Sequence, residues 1–286
     1  MRMRAVRFKM TVVTLGRMTL LWFMFTLTIP GLSHAVTFFD TSFETCSVGT
    51  SSDFPCDGWD DFGQANPGHL EVTTSLAFSG SKSVKGTFNN INGSSQQPSI
   101  SRSWTKTAHI FARFAFRTSS GFQLGSNGIT KMVRFKDDSG YPLVWIVIRY
   151  GHYTVLMEGP YDYAGTYVLD SGIAPSQTSW DQIEFEYKLN TPGQSNGLMR
   201  LWINGVLRTE QLNKAYIGPT PTSKGKAGLP NPSTYLIRTS QIFIQSGLGS
   251  LYYDRFAVGN TRIGLTTGSA TGDTTPPTTP MGVQVR

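Results

Sequence analysis

Residues 183–207 read IEFEYKLNTPGQSNGLMRLWINGVL: two runs with a period of two, separated by Asn190-Thr191-Pro192-Gly193 and closed by Asn204-Gly205. That period is the signature of a β-strand with one buried and one wet face. Ile183, Phe185, Tyr187 and Leu189 share one face, while Glu184, Glu186 and Lys188 share the other. In the second run Met199, Leu201 and Ile203 face the core, and Arg200 and Trp202 face outward. Asn204-Gly205 suits a type I′ hairpin, whose two central residues need φ > 0. The same rhythm recurs along the chain. Further strands are expected at 36–43, 69–74, 82–88, 99–104, 109–117, 129–136, 143–151, 153–159, 241–246 and 251–259. No helical periodicity competes after residue 36. About a dozen short strands between Gly, Ser, Asn and Pro breaks predict an all-β, antiparallel sandwich of two sheets, five to seven strands each.

The first 35 residues belong to a different category. A basic start (MRMRAVRFKM), an apolar stretch (VVTLGRMTLLWFMFTLTIP) and a small-residue end (GLSHA) read as a secretory signal peptide cleaved before Val36, the one helix expected in the chain. The alternative is an uncleaved N-terminal anchor, because the apolar stretch is near the lower limit for a span. No other segment is long and apolar enough to cross a membrane, so none is expected in the mature chain. The leader carries Arg2, Arg4, Arg7, Lys9 and Arg17 and no acid. Removing these five from 25 basic residues leaves 20 against 18 acidic, so the net charge falls from +7 to +2. The high pI is thus a targeting feature and gives no support to nucleic-acid binding. The only cysteines, Cys46 and Cys56, read as a disulfide in an exported chain, since no companion ligands suggest a metal pair.

Two stretches interrupt the strand rhythm. Residues 217–235, IGPTPTSKGKAGLPNPSTY, form a long basic Pro/Gly-rich loop, read either as a rim over a groove or as a plain connection. Residues 267–286 are Thr/Gly/Pro-rich and read as an extended linker. The expected organisation is therefore a signal peptide (1–35), one β-sandwich domain (36–266) and a C-terminal linker (267–286).

Several pieces resemble one superfamily. FFDTSFET followed by LAFSGSKSVKGTF is similar to the opening of concanavalin A-like and carbohydrate-binding jelly rolls. The hairpin WDQIEFEYKLNTPGQSNGLMRLWINGVL resembles that of secreted jelly-roll polysaccharide lyases, and LYYDRFAVGNTRIG resembles their last strand. DTTPPTTPMGVQV is similar to the start of a fibronectin type III segment. The resemblance implies a jelly-roll sandwich over roughly residues 37–265. It does not fix an activity, because the superfamily mixes lyases, glycosidases, lectins and spacers.

Three chemistries follow. A lyase acting on a uronic-acid polymer by β-elimination needs a cation or amide on the carboxylate and a base for the C5 proton. The resemblance places these on one sheet. Arg134, Lys136, Arg149, Tyr150 and His152 are the catalytic candidates, with Arg113 and Arg117 on another polar face. Parity sets Arg149 and Tyr150 on opposite faces, so the set cannot act as one. Glu184 and Glu186 suggest a two-carboxylate glycosidase, but residues two apart on a strand sit roughly 7 Å apart, beyond retaining spacing. The simpler reading pairs them with Lys188 and Arg200 on a wet face. The substrate-binding candidates are Arg113, Arg117, Arg200, Trp202 and Tyr163, with Trp202 the best placed for sugar stacking, while Trp145 and Trp180 read as core. The resemblance also implies a structural Ca²⁺ held by Asp40 or Glu44 with Asp254; no cofactor is required. The sequence thus reads as a secreted or surface carbohydrate-binding module for an extracellular polysaccharide, with a polysaccharide lyase and a non-binding spacer as the alternatives. N-terminal sequencing of the exported protein is expected to begin at Val36; retention of Met1 would establish the anchor instead.

Overall fold

The computed structural model describes residues 14–15, 18–19, 35–50, 56–63, 69–91, 98–137, 140, 142–157, 168–216 and 236–266. The chain divides into two units, Met1–His34 and Ala35–Arg286. In the first, β1 (Thr14–Leu15) and β2 (Met18–Thr19) pair as strands, where a helical leader was expected. The rest of the leader, the 217–235 loop, and the linker with its fibronectin-like start lie outside the described residues. No helix among the described residues is long and apolar enough to cross a membrane.

The second unit holds β3 (Thr37–Thr41), β4 (Gly49–Thr50), β5 (Asp61–Gly63), β6 (His69–Thr73), β7 (Ser83–Asn90), β8 (Ser99–Thr107), β9 (His109–Thr118) and β10 (Gln123–Leu124). It continues through β11 (Ile129–Asp137), β12 (Pro142–Arg149), β13 (His152–Met157), β14 (Val168–Asp170), β15 (Asp181–Lys188) and β16 (Gly197–Ile203). The last elements are β17 (Val206–Lys214), β18 (Ile237–Gln245) and β19 (Gly247–Gly259). They form two antiparallel sheets. One has ten strands on the path β17-β16-β15-β9-β19-β7-β6-β4, with β10 and β3 also pairing β19; the other has seven, in the order β14-β13-β12-β11-β18-β8-β5.

Alternation decides which residues fill the space between the sheets. Ile183, Phe185 and Tyr187 of β15, Phe114 and Phe116 of β9, and Val133 and Phe135 of β11 all enter one buried cluster. Ring contacts bridge the layers: Phe135 lies 5.8 Å from Phe185, and Phe116 lies 5.9 Å from Tyr153. The expected NG hairpin is present, with Asn204 at φ 52° and Gly205 at φ 77°. β17 was not anticipated. Its sequence VLRTEQLNK lies on the sheet edge with no position buried, so no hydrophobic alternation marks it.

The Cys46–Cys56 disulfide is formed, with Cα atoms 5.2 Å apart. Cys46 is buried in the core, and Cys56 precedes Trp59, which packs edge-on against Phe39 at 4.8 Å. A Cys46→Ser/Cys56→Ser variant is expected to lose about 2–4 kcal/mol of stability by urea denaturation, and reductant should move the parent protein to the same midpoint.

Candidate functional site

The outer face of the seven-stranded sheet is built by strand parity. Val144, Ile146 and Ile148 of β12 enter the main core, which sends Trp145 and Val147 to the opposite face, where they cluster with Phe243. Cross-strand register then sets one row over six strands: Leu156, Trp145, Arg134, Gln241, Ser101 and Asp61. Trp145, read from sequence as core, is buried, but on this outer face. It meets Phe243 edge-on at 5.2 Å.

Cations are layered on these rings. The Lys131 ammonium lies 4.1 Å from the Trp145 ring, and the Arg134 guanidinium lies 3.8 Å from the Phe243 centroid. Each such contact contributes on the order of 1 kcal/mol. Arg134 Nε also donates to the Gln241 side-chain carbonyl, and Gln241 Nε2 donates to Ser99 Oγ at 2.7 Å. Arg134 is thereby fixed in direction. Lys136 stands in the next row, paired in register with Pro142 and Thr239. It is half-buried and makes no hydrogen bond or ion pair among the described residues. Burial and the neighbouring Arg134 charge hold its ammonium below the usual lysine pKa, with Asp61 and Asp137 opposing.

The other three catalytic candidates form a separate group. Tyr150 (φ 50°) and Gly151 (φ 89°) make the β12–β13 turn, and Tyr150 is 69% exposed with Arg149 stacked at 4.8 Å. His152 pairs with Asp170 at 3.2 Å. Arg149 and His152 are register partners, four residues along β12 from Trp145, or roughly 13 Å away. The structure therefore brings together Arg134 and Lys136, but not Arg149, Tyr150 or His152, with that pair.

The outer face of the ten-stranded sheet corrects the expectation of a wet surface. Glu184, Glu186 and Trp202 are only 4%, 4% and 7% exposed. Residues 262–264, just beyond β19, lie across this face. Arg262 stacks over Trp202 at 4.7 Å and its Nε donates to Glu184 at 3.0 Å; the amides of Ile263 and Gly264 donate to the same carboxylate. Arg113 is buried and donates to the Gly264 carbonyl, while Arg117 donates to the Gln177 carbonyl. Glu186 accepts from His109 at 2.8 Å and from Arg200 at 3.1 Å, and Arg200 also reaches Glu210. Burial pushes Glu186 up, but those two donors outweigh it and hold the carboxyl below its usual range. Lys188 takes no part in this network. Arg113, Arg117, Arg200 and Trp202 are thus spent on the fold itself, and Trp202 offers no open ring. Tyr163 lies outside the described residues.

The acids named for calcium grip backbone amides. Asp254 is fully buried, and its carboxylate accepts the N–H groups of Phe78, Ser79 and Arg255. Glu44 accepts from the amides of Ser81 and Lys82, and Gly80 (φ 68°) makes room for it, since an added Cβ would meet Glu44 Oε1 at 2.5 Å. The Lys82 ammonium donates to the carbonyls of Glu44 and Cys46 at 2.8 and 2.7 Å. Burial raises the Asp40 carboxyl above its usual range, opposed by the Arg113 and Arg255 charges. No group of three His, Cys, Asp or Glu able to hold a metal occurs among the described residues. An acid missed from sequence, Asp57, accepts from the amides of Ser42 and Phe43 and from the hydroxyls of Thr41 and Thr45. Its place in the Cys46–Cys56 neighbourhood was the available signal.

No family model and no curated protein matches the chain. Among solved structures, an endo-β-1,4-glucuronan lyase from the fungus Trichoderma reesei aligns with a TM-score of 0.58 at 17% identity, over 79% of this chain and 96% of that one. The cellulose-induced protein Cip1 aligns at 0.52 and 18% identity, over 79% and 99%. The alginate lyase vAL-1 from Chlorella virus aligns at 0.52 and 14% identity, over 71% and 93%. The chain is a jelly-roll β-sandwich. Identities this low establish the fold and leave activity to the site.

Burial raises Asp254 to about 6 in spite of its three amide donors. A carboxyl raised on folding contributes its stability below the unfolded value of 3.8, and that contribution is lost as pH rises through about 6. Between pH 4 and pH 7 the parent protein should therefore lose up to about 3 kcal/mol relative to Asp254→Asn, compared by urea titration across that range.

Proposed function

We propose that this chain is an exported module that binds an acidic polysaccharide on the outer face of its seven-stranded sheet. The carrying observation is the pairing of Arg134, oriented by Gln241 and two aromatic rings, with Lys136, a half-buried ammonium that lacks a hydrogen-bond partner among the described residues. A planar guanidinium fixed in direction suits a carboxylate, and a partly desolvated ammonium gains from a second anion. Ser101, half-buried in the Arg134 row, supplies a hydroxyl in the same neighbourhood, as sugar recognition needs. The disulfide supports export, since such bonds persist in oxidising compartments. The likeness in fold to a glucuronan lyase and an alginate lyase supports the ligand class.

A second reading, β-elimination on a uronic-acid polymer, is favoured by one observation. Burial, with Arg134 beside it, holds Lys136 below the ordinary lysine range, which enlarges the neutral fraction that a general base requires. Binding comes first because no tyrosine or histidine among the described residues shares the Arg134 row. The test is to incubate the mature protein with alginate, glucuronan, pectate and glycosaminoglycans, following retention on each polymer and ultraviolet absorbance of an unsaturated uronate product. Retention without absorbance, weakened roughly 10- to 100-fold in Arg134→Ala/Lys136→Ala, is expected. Product absorbance would establish the lyase, and no retention on any acidic polymer would overturn the proposal.

A further inference from the structure

The ladder between β8 and β18 breaks at one place. Ile237 pairs with Thr107 and Thr239 pairs with Ser103, so Trp104, Thr105 and Lys106 of β8 stand opposite the single residue Arg238. On its other edge β18 slips in the opposite sense: Thr239 pairs with Lys136 and Ile237 with Asp137, which leaves Arg238 as the extra residue. Irregularities of this kind end local pairing and re-aim side chains, and they cluster beside binding sites. Here they open a cavity of about 430 Å³ lined by Ser103, Trp104, Thr105, Lys106 and Arg238.

The lining has a definite chemistry. Arg238 is exposed and has no ion pair among the described residues. Lys106 adds a second cation, and Ser103 and Thr105 add hydroxyls. Ser103 Oγ is joined to Thr239 Oγ1 at 3.0 Å, which ties this wall to the strand that carries Arg238. The Trp104 ring is held parallel to Phe38 at 6.1 Å, and its indole N–H is enclosed without an acceptor among the described residues. An enclosed donor of this kind gains when a partner arrives.

We infer that this cavity is a second anionic-sugar subsite, which takes a further carboxylate-bearing residue of the polymer bound at Arg134 and Lys136; the inference rests on that reading of the outer face. Register sets one wall of the cavity in the Lys136 row. Thr239 lies between Lys136 and Ser103, so the Ser103 wall stands two strands, or about 10 Å, from Lys136. A polymer running across the strands passes from one to the other. The Arg238 guanidinium takes the carboxylate side-on, and Lys106 supplies the second charge. The site is therefore selective for chain length as well as for charge.

The experiment measures affinity for a length series of acidic oligosaccharides, from the dimer upward, prepared from whichever polymer the protein retains. In the parent protein affinity should rise with length, and longer oligomers should shift the Trp104 indole N–H resonance. Arg238→Ala and Arg238→Glu leave the folded spectrum intact because the side chain is exposed. They should weaken the longer oligomers roughly tenfold while leaving the dimer unchanged. Arg134→Ala/Lys136→Ala should weaken every length. Length-dependent binding that both Arg238 variants retain in full would overturn the subsite and leave the polysaccharide reading standing. Failure of the parent protein to bind any length would overturn both.

Discussion

β19 is hydrogen-bonded along both edges, and the order of the ten-stranded sheet follows from it. One edge pairs with β9 on both sides of an irregularity between Asp254 and Ala257, where Arg255 takes a left-handed backbone. The other edge pairs with β7 up to Tyr253 and then with β3 from Phe256 onward. The bend lets one strand serve two neighbours in succession without leaving buried amides unpaired. Asp254 sits at this bend with no exposure and spends its carboxylate on the amides of Phe78, Ser79 and Arg255. Glu44 and Lys82 pin the far side of the same loop, next to the disulfide.

The two outer faces illustrate how burial of charge separates structure from recognition. On the ten-stranded sheet both buried glutamates are answered from within the chain: Glu184 by Arg262 and two amides, Glu186 by His109 and Arg200. A carboxylate at 4% exposure requires such partners, since burying it alone is costly. The seven-stranded sheet presents cations. Lys131 and Arg134 rest on rings, Lys136 makes no hydrogen bond among the described residues, and Arg238 points from a bulge. That asymmetry supports the proposal of a ligand face on the second sheet.

Much of the frame was legible from residue order. The strands from β6 to β9, the β15–β16 hairpin and the Cys46–Cys56 bond all follow from alternation, turn residues and cysteine arithmetic. β17 was hidden because an edge strand with no buried position carries no alternation. The two tryptophans are both buried on outward faces, for a related reason. Parity correctly set Trp202 opposite the core, yet Arg262 covers it from beyond the end of β19. Trp145 was read as core because its neighbours on both sides are apolar. In the fold only alternate residues of that run face the sandwich interior.

By itself the sequence determined the β-sandwich, its hairpin turns and the partition of each strand into two faces, because these depend on local periodicity and backbone preference. Which outward face is sealed and which carries a cationic row was decided only in three dimensions. Arg134, Gln241 and Ser101 are far apart in the chain and become neighbours solely through strand order. Arg238 owes its placement to slips in register on both edges of β18, a property of paired strands that no single strand can encode.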